Sequence, residues 1–346
     1  MSFNENKREK IQRYMLEKID MGDKEFTRKT ADTFDVSMTT VYRYIKSLEE
    51  KHIICKAGNR YILESVVQTA KLRRAKNELR DEDVIYARYI RKQVSDLADN
   101  VQRIWYYAFT EMMNNAIDHS EAGTVWIMIK KNYLNTTIML MDNGVGIFRK
   151  ITEYYQYDSL DDAVRELFKG KLTTDTENHS GEGIFFTSRA LDLFAAVSDG
   201  KIFSHNKYSE VFASVKDEAL LKPWENRAGT TIYMQLSNFS NRKISEVFDM
   251  YADADGGLTK TCVPIKNMFE MDPVSRSQAK RLCNRFEDFC EIELDFNGVQ
   301  EIGQGFAHEI FVVFQNRHQN VKLIPVNMTK EVEKMIKHVL ASNLRR

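Results

Sequence analysis

Four short motifs, spaced over residues 105–236, constrain this chain more than anything else in it. In WYYAFTEMMNNAIDHS (105–120), Tyr107, Met112 and Ile117 suit the apolar side of a helix. Glu111 and Asn115 lie four apart, so they project from one helical face about one turn apart. A carboxylate and a carboxamide on one face can hold a water and a hard cation. Mg2+ takes oxygen ligands and keeps several waters, so one amide oxygen plus phosphates suffices, and Glu111 is placed to orient or deprotonate the water. In TTIMLMDNGVGI (136–147) an apolar strand ends at Asp142, with Gly144 and Gly146 following at DxGxG spacing. Such glycines let backbone approach a flat base, and the carboxylate can accept from the exocyclic amine that adenine carries. In HSGEGIFFTSRALDLF (179–194), Gly181 and Gly183 sit ahead of a helix that buries Phe185, Ala190, Leu191 and Phe194. A Gly-rich turn feeding a helix N-terminus offers free N–H groups and a favourable dipole to phosphates. AGTTIYMQL (228–236) is a Gly-Thr turn entering a strand. Taken singly, each has a bland explanation: a Glu-Asn pair is usually an exposed helix pair, and DxGxG is often a strand-to-turn junction.

In this order and spacing the motifs resemble those of the GHKL (Bergerat-fold) ATPases, the group of histidine kinases, type II topoisomerases, mismatch-repair ATPases and anti-sigma serine kinases. The resemblance covers about 130 residues. It implies ATP and Mg2+ as ligands, with Asn115 on the metal and Glu111 as the water-activating base. Asp142 would take the adenine amine, Gly144 and Gly146 would lie beneath the ring, and Thr230 would support the adenine pocket. Ser180, Gly181, Glu182 and Gly183 would run along the phosphates. Residues 148–180 would form a lid, in which Lys169, Lys171, Thr173 and Thr174 either reach phosphates or belong to a solvated loop. Two features depart from the pattern. GEGI is shorter than the glycine motif of many kinases, and no dimerisation helix with a phospho-accepting histidine precedes the domain, which disfavours a sensor histidine kinase.

Upstream, Ile11, Tyr14, Met15 and Ile19 predict an amphipathic helix, and Met21-Gly22-Asp23 breaks it. Phe26, Ala31 and Phe34 fit a short helix, and Ser37 can cap the next one. On that third helix Val41, Ile45 and Leu48 face one way; Thr39, Thr40, Tyr42, Arg43 and Lys46 face the other, as a helix reading phosphates and base edges requires. HIICKAGNRYIL then reads as two strands around Gly58-Asn59. The pattern resembles winged helix-turn-helix domains of bacterial regulators, which implies double-stranded DNA as a partner; the competing reading is a helical dimerisation or protein-docking module.

Residues 65–100 contain neither Pro nor Gly and are rich in helix formers, which predicts a helical linker. Its basic stretch KLRRAKNELR is by default a solvated face. From 243 onward, strands (DGGLTKTCVPI, EIELDF, KLIPVNM) alternate with helices (SRSQAKRLCNRFEDF capped by Ser275, GQGFAHEIFVVF, TKEVEKMIKHVL), which implies a small α/β sheet. LDFNGVQEIGQGFAHEIF resembles the core of STAS domains, the fold of anti-anti-sigma factors, and implies a protein partner. Where phosphorylatable STAS domains carry a hydroxyl, this chain has Ile302-Gly303-Gln304-Gly305, which argues against a phospho-switch there.

The expected fold is therefore multidomain α+β: a winged helix over 1–64, a helical linker over 65–100, a GHKL α/β sandwich over 101–240 and a STAS-like α/β domain over 243–346. Lys+Arg and Asp+Glu both number 50, so whole-chain charge provides no argument for nucleic acid. Cys55, Cys262, Cys283 and Cys290 lack metal or disulfide spacing. The polar MSFNENKREK start shows no signal peptide and no run approaches membrane length, so a cytoplasmic protein is expected. The leading expectation is an intracellular regulator, open to homodimerisation, that couples ATP and slow hydrolysis to DNA binding and partner binding. The alternatives are an anti-sigma-type serine/threonine protein kinase and a defence or signalling ATPase whose winged helix docks protein.

Overall fold

A computed structural model of the chain describes residues 5–172, 174, 181–206, 228–253, 257–269 and 271–343. Its centre is a six-stranded antiparallel sheet ordered β3-β4-β5-β8-β6-β7: β3 (Val66–Arg73), β4 (Thr124–Lys131), β5 (Asn135–Asp142), β6 (Leu193–Ser198), β7 (Lys201–Asn206) and β8 (Thr230–Ser237). Side chains alternate faces along each strand. Val125, Ile127 and Ile129 of β4, Ile138 and Leu140 of β5, and Ile232, Met234 and Leu236 of β8 enter the main core. Their neighbours Met128, Met139, Met141 and Tyr233 form a second apolar cluster.

The helix α6 (Asp99–Asp118) belongs to the same core through Ile104, Trp105, Ala108, Phe109, Met112 and Ala116, spaced three or four apart. Between β3 and α6 run α4 (Glu82–Tyr89) and α5 (Arg91–Val94). After β5 come α7 (Ile147–Tyr155), α8 (Leu160–Lys169) and α9 (Gly183–Ala190), the last leading into β6.

The expected helical linker needs correction. Residues 66–73 are not helical: they form β3 and pair with β4 from Val66↔Lys131 to Arg73↔Thr124. Ala, Lys and Leu in this stretch favour a helix, but a free sheet edge offers eight residues of ladder, and Val66, Val67 and Thr69 suit it; tertiary pairing overrides propensity. Apart from one 3-10 turn over Arg74–Lys76, only residues from 82 onward are helical, as expected.

The N-terminal unit comprises α1 (Glu5–Asp20), α2 (Phe26–Phe34), α3 (Met38–Glu50) and an antiparallel hairpin of β1 (Ile54–Ala57) and β2 (Arg60–Leu63) closed by Gly58-Asn59. Ser37 caps α3, its Oγ accepting from Thr40 N at 3.2 Å. The core of this unit, Ile11, Met15, Leu16, Ile19, Phe26, Val41, Tyr44, Ile45, Leu48, Ile54 and Leu63, is separate from the main one. It also includes Leu134 from the β4–β5 turn.

Beyond β8, α10 (Ile244–Tyr251) leads into a parallel three-stranded sheet, β9 (Lys260–Pro264), β10 (Glu291–Asp295) and β11 (Lys322–Val326), with β10 central. Around it lie α11 (Ile265–Met268), α12 (Arg276–Leu282), α13 (Gln304–His308) and α14 (Lys330–Asn343). α13 continues as a π-helical stretch, Glu309–Phe314. Ser275 caps α12 in a reciprocal box with Gln278. Ile292, Leu294 and Phe296 are fully buried, and this core is continuous with that of the central sheet. The junction is aromatic: Phe248 of α10 packs on Tyr107 and Phe186, and Tyr251 on Phe185.

Calorimetry of core variants checks this division. Phe148→Ala and Leu294→Ala, in different lobes of the continuous core, should each lower the same unfolding transition, by about 2–5 kcal/mol. Leu48→Ala should lower a second transition belonging to the N-terminal unit. Independent shifts for Phe148→Ala and Leu294→Ala would contradict a shared core.

Candidate nucleotide site

A cleft with about 1000 Å3 of empty space, counting its open mouth, lies where α6, the ends of β5 and β8, and α7–α9 converge. It takes Glu111, Asn115, His119 and Ser120 from α6 and its end, Asp142 from β5, Gly146 and Lys150 from the start of α7, and Thr230 from β8. Gly181, Gly183 and Thr174 close it from the side of α9, over an apolar floor that includes Val125, Leu140 and Ile232. The four motifs thus meet in one place. Glu111 and Asn115 sit side by side on α6 because its opposite face is committed to the core.

Asp142 is 8% exposed. Its Oδ1 accepts from Gly144 N at 2.8 Å and from Thr230 N at 3.2 Å. Burial outweighs these two bonds and pushes the carboxyl up to about 6. Thr230 Oγ1 in turn accepts from Ile147 N at 3.0 Å, tying the start of α7 to β8. The pocket around the carboxylate is therefore preformed by backbone.

The glycines divide by role. A Cβ on Gly144 would overlap the Ser120 carbonyl, so this glycine lets the turn after β5 abut the end of α6. Val145 N donates to the same carbonyl at 2.9 Å. Gly144 does not line the cleft, contrary to the expectation that it lies beneath a ring; Gly146 does line it, at φ +87°. A Cβ on Gly183 would overlap Glu111 Oε2, so the start of α9 and the Glu111 carboxylate are in direct apposition. Ser180 lies outside the described residues. Glu182, expected along the phosphates, has its side chain on the C-terminal side of that turn, where Oε1 accepts from Leu258 N at 3.0 Å.

The two lysines expected at phosphates are also occupied elsewhere. Lys169 is buried, its ammonium donating to Glu166 Oε1 at 2.5 Å and Asn284 O at 2.7 Å. Lys171 Nζ donates to Asp288 O at 3.0 Å. Both face the C-terminal domain, because α8 has one face on the cleft and the other against that domain. Thr173 is outside the described residues, and Thr174 reaches the cleft with Oγ1 3.4 Å from His119 Nδ1. Lys150 is a cation at the cleft that sequence reading passed over; its Nζ donates to His119 O at 2.7 Å and Glu121 Oε1 at 3.0 Å. The signal was its place four residues after Gly146, one turn into the helix that the DxGxG turn opens.

Among the described residues no cluster of three or more His, Cys, Asp or Glu side chains could hold a metal by itself. Asn115 beside Glu111 suits instead a cation that arrives with phosphates and waters.

Comparison with known proteins finds two family matches in the chain. Residues 100–237 match the family model described as histidine kinase-, DNA gyrase B-, and HSP90-like ATPase. Residues 278–333 match that of a STAS-like domain of unknown function. No curated protein matches the chain. Residues 100–237 thus carry a GHKL-type ATPase domain, of a kind that binds ATP, normally with Mg2+, and a STAS-like domain follows at 278–333. No described helix is long and apolar enough to cross a membrane.

The raised Asp142 carboxyl has a testable consequence. Between about pH 4 and pH 6 the native protein holds a proton that the unfolded chain has lost. Stability of the ligand-free protein should therefore fall across that window as pH rises, by up to about 3 kcal/mol, and the penalty should be complete above it. Asp142→Asn keeps the Oδ1 acceptor and removes the charge. In thermal melts it should be more stable than the parent at pH 7.5, with the difference vanishing near pH 4, while ATP affinity drops at least tenfold.

Proposed function

We propose that this protein is an ATP-controlled regulator that hydrolyses ATP slowly and passes its nucleotide state to a DNA-binding N-terminal unit and a partner-binding C-terminal domain. The observation that carries the reading is the convergence of Glu111, Asn115, Asp142, Thr230 and the Gly181–Gly183 turn on one cleft. In it, the ionised Asp142 accepts from the adenine amine, with Gly146 and Thr230 beside the base. Gly181, Gly183 and the start of α9 face the phosphates with backbone N–H groups, and Lys150 adds a positive charge. Asn115 would hold Mg2+, which would neutralise charge developing on the phosphates. Glu111 takes a proton from the attacking water as its oxygen bonds to the γ-phosphorus, and ADP leaves. Glu111→Gln should lower the hydrolysis rate at least a hundredfold and leave ATP affinity within a few-fold of the parent, in a phosphate-release assay run beside a binding titration. Equal loss of both would assign Glu111 to binding rather than to catalysis.

DNA binding is supported by α3. Tyr42 is 56% exposed, and Thr39, Arg43 and Lys46 are exposed as well. Thr40 is committed to the helix cap, its Oγ1 3.0 Å from Ser37 Oγ, which leaves the other four as the outward set. Exposure of Arg43 and Lys46 favours this reading over one in which the helix docks within the chain. The hairpin of β1 and β2 stands beside α3 as a wing. Filter binding to duplex DNA with and without ATP tests the reading: affinity should differ between the two conditions. Arg43→Ala with Lys46→Ala should weaken binding and flatten its salt dependence by about two contacts. No DNA binding in either condition would refute it.

The kinase alternative meets an obstacle at its nearest substrate. The start of α13, where a STAS phospho-acceptor would stand, is closed by the chain itself: Gly303 N donates to Pro273 O at 2.9 Å and Phe306 N to Val274 O at 3.3 Å.

A further inference from the structure

The stretch from Glu166 to Leu172 faces two ways. Leu167 and Leu172 line the nucleotide cleft. Glu166, Lys169 and Lys171, together with the carbonyls of residues 169, 170 and 171, face the C-terminal domain. Each of these three successive carbonyls is taken by a side chain of that domain. Thr261 Oγ1 donates to Lys169 O at 2.8 Å. Arg285 Nη2 donates to Gly170 O at 3.1 Å and also to Lys171 O. The same guanidinium reaches Glu166 Oε2 through Nη1 at 3.4 Å and Asp288 Oδ2 through Nε at 3.3 Å. Glu166 holds the Lys169 ammonium with its other oxygen. Arg285 is thus the hub of a largely buried ionic cluster, and its backbone adopts φ +61°, a left-handed conformation that a side chain of this size takes only when its surroundings impose it. On the cleft side, Leu172 N donates to Gly181 O at 3.1 Å, so the segment gripped by Arg285 is hydrogen-bonded to the turn expected at the phosphates.

We infer that Arg285 is a positioning residue of the nucleotide site. Lodged in the C-terminal domain, it fixes residues 169–172 against the cleft, so that domain sets nucleotide affinity and is itself tightened when nucleotide binds. Coupling of this kind is reciprocal: whatever the domain contributes to holding nucleotide, nucleotide contributes to holding the domain. The residues that transmit it are in direct contact, and each step is a hydrogen bond or ion pair already named. The inference rests on the ATP-binding reading.

The test uses the full chain with Mg2+ and ATP. Affinity is titrated for the parent, Arg285→Lys and Arg285→Ala, and hydrogen exchange is followed at residues 283–289 and along α6, with and without ATP. Arg285→Ala should weaken ATP binding on the order of tenfold. Arg285→Lys, which keeps the charge and can serve one carbonyl, should recover part of the loss. In the parent, ATP should slow exchange at 283–289. In Arg285→Ala that slowing should disappear while slowing along α6 persists. A purely structural role predicts a lower melting temperature with ATP-dependent protection at 283–289 intact, and that result overturns the inference. Parent-like affinity in Arg285→Ala overturns it too. Should Arg285→Ala fail to fold, Arg285→Lys and Arg285→Gln are read against the same criteria. Failure of the parent to bind ATP is a separate outcome, which removes the reading beneath.

Discussion

The cleft is organised around one buried carboxylate. Asp142 ends β5 under apolar residues, and a charge taken out of water must be compensated or neutralised. One oxygen gathers N–H groups from Gly144 and from Thr230, which lies 88 residues further along the chain. That pair of bonds joins the end of β5, the turn after it and the start of β8, and Thr230 extends the connection to α7. Compensation is incomplete, as the upward displacement of the carboxyl shows. A ligand that donates a hydrogen bond to the anion supplies what the fold withholds, so the arrangement that weakens the empty protein favours the occupied one. On the proposed reading, selectivity for an amino-bearing base follows, because a carbonyl at that position would face the carboxylate with its own lone pairs.

Much of this was legible in the chain. Glu111 and Asn115 are visible because helical periodicity places them on the face that the apolar residues leave free. Asp142 and Gly146 are visible because the DxGxG spacing, common by itself, falls in order with the other three motifs. The three parallel strands of the C-terminal domain follow from their alternation with helices, and the caps Ser37 and Ser275 both hold. Less legible was anything determined by long-range packing. Residues 66–73 mix helix and strand formers, and the vacant edge of a sheet whose other strands lie 50 or more residues downstream decides for a strand. Gly144 fits a base-binding motif, yet the Ser120 carbonyl is its actual neighbour. Lys169 and Lys171 read as solvated or phosphate-seeking because local sequence does not reveal that a second domain lies against the far side of α8.

That second domain constrains the segment that lines the cleft. A lysine as deeply buried as Lys169 loses its hydration, which holds its ammonium below the ordinary lysine value even beside Glu166. A cluster like this contributes little stability compared with an apolar packing of the same volume, but removing one member leaves the others buried and unpaired. Its members come from both sides, Glu166 and Lys169 from α8, Arg285 and the Asn284 carbonyl from the C-terminal domain. The cluster therefore fixes the register of one against the other. The continuous aromatic core between α9 and α10 does the same with apolar contacts, and together they hold the domain against the back of the segment that lines the cleft.

The two flanking units consequently stand in unequal relation to the nucleotide. The C-terminal domain touches the segment that lines the cleft. The N-terminal unit sits at the opposite end of β5: Asn135, seven residues before Asp142, donates from Nδ2 to Asp20 Oδ2 at 3.3 Å, and neighbouring Leu134 enters the N-terminal core. Seven strand residues span roughly 24 Å. A signal along that path must move a paired central strand, flanked by β4 and β8, whereas a signal into the C-terminal domain needs only the rearrangement of a few side chains around Arg285. Nucleotide can bias a distant unit only through a difference in affinity between two arrangements, and the arrangements within easiest reach are those of residues 166–172 and the domain packed against them. On the proposed reading, the C-terminal domain is therefore the first receiver of nucleotide state, and the DNA-binding unit responds to what the sheet as a whole can carry.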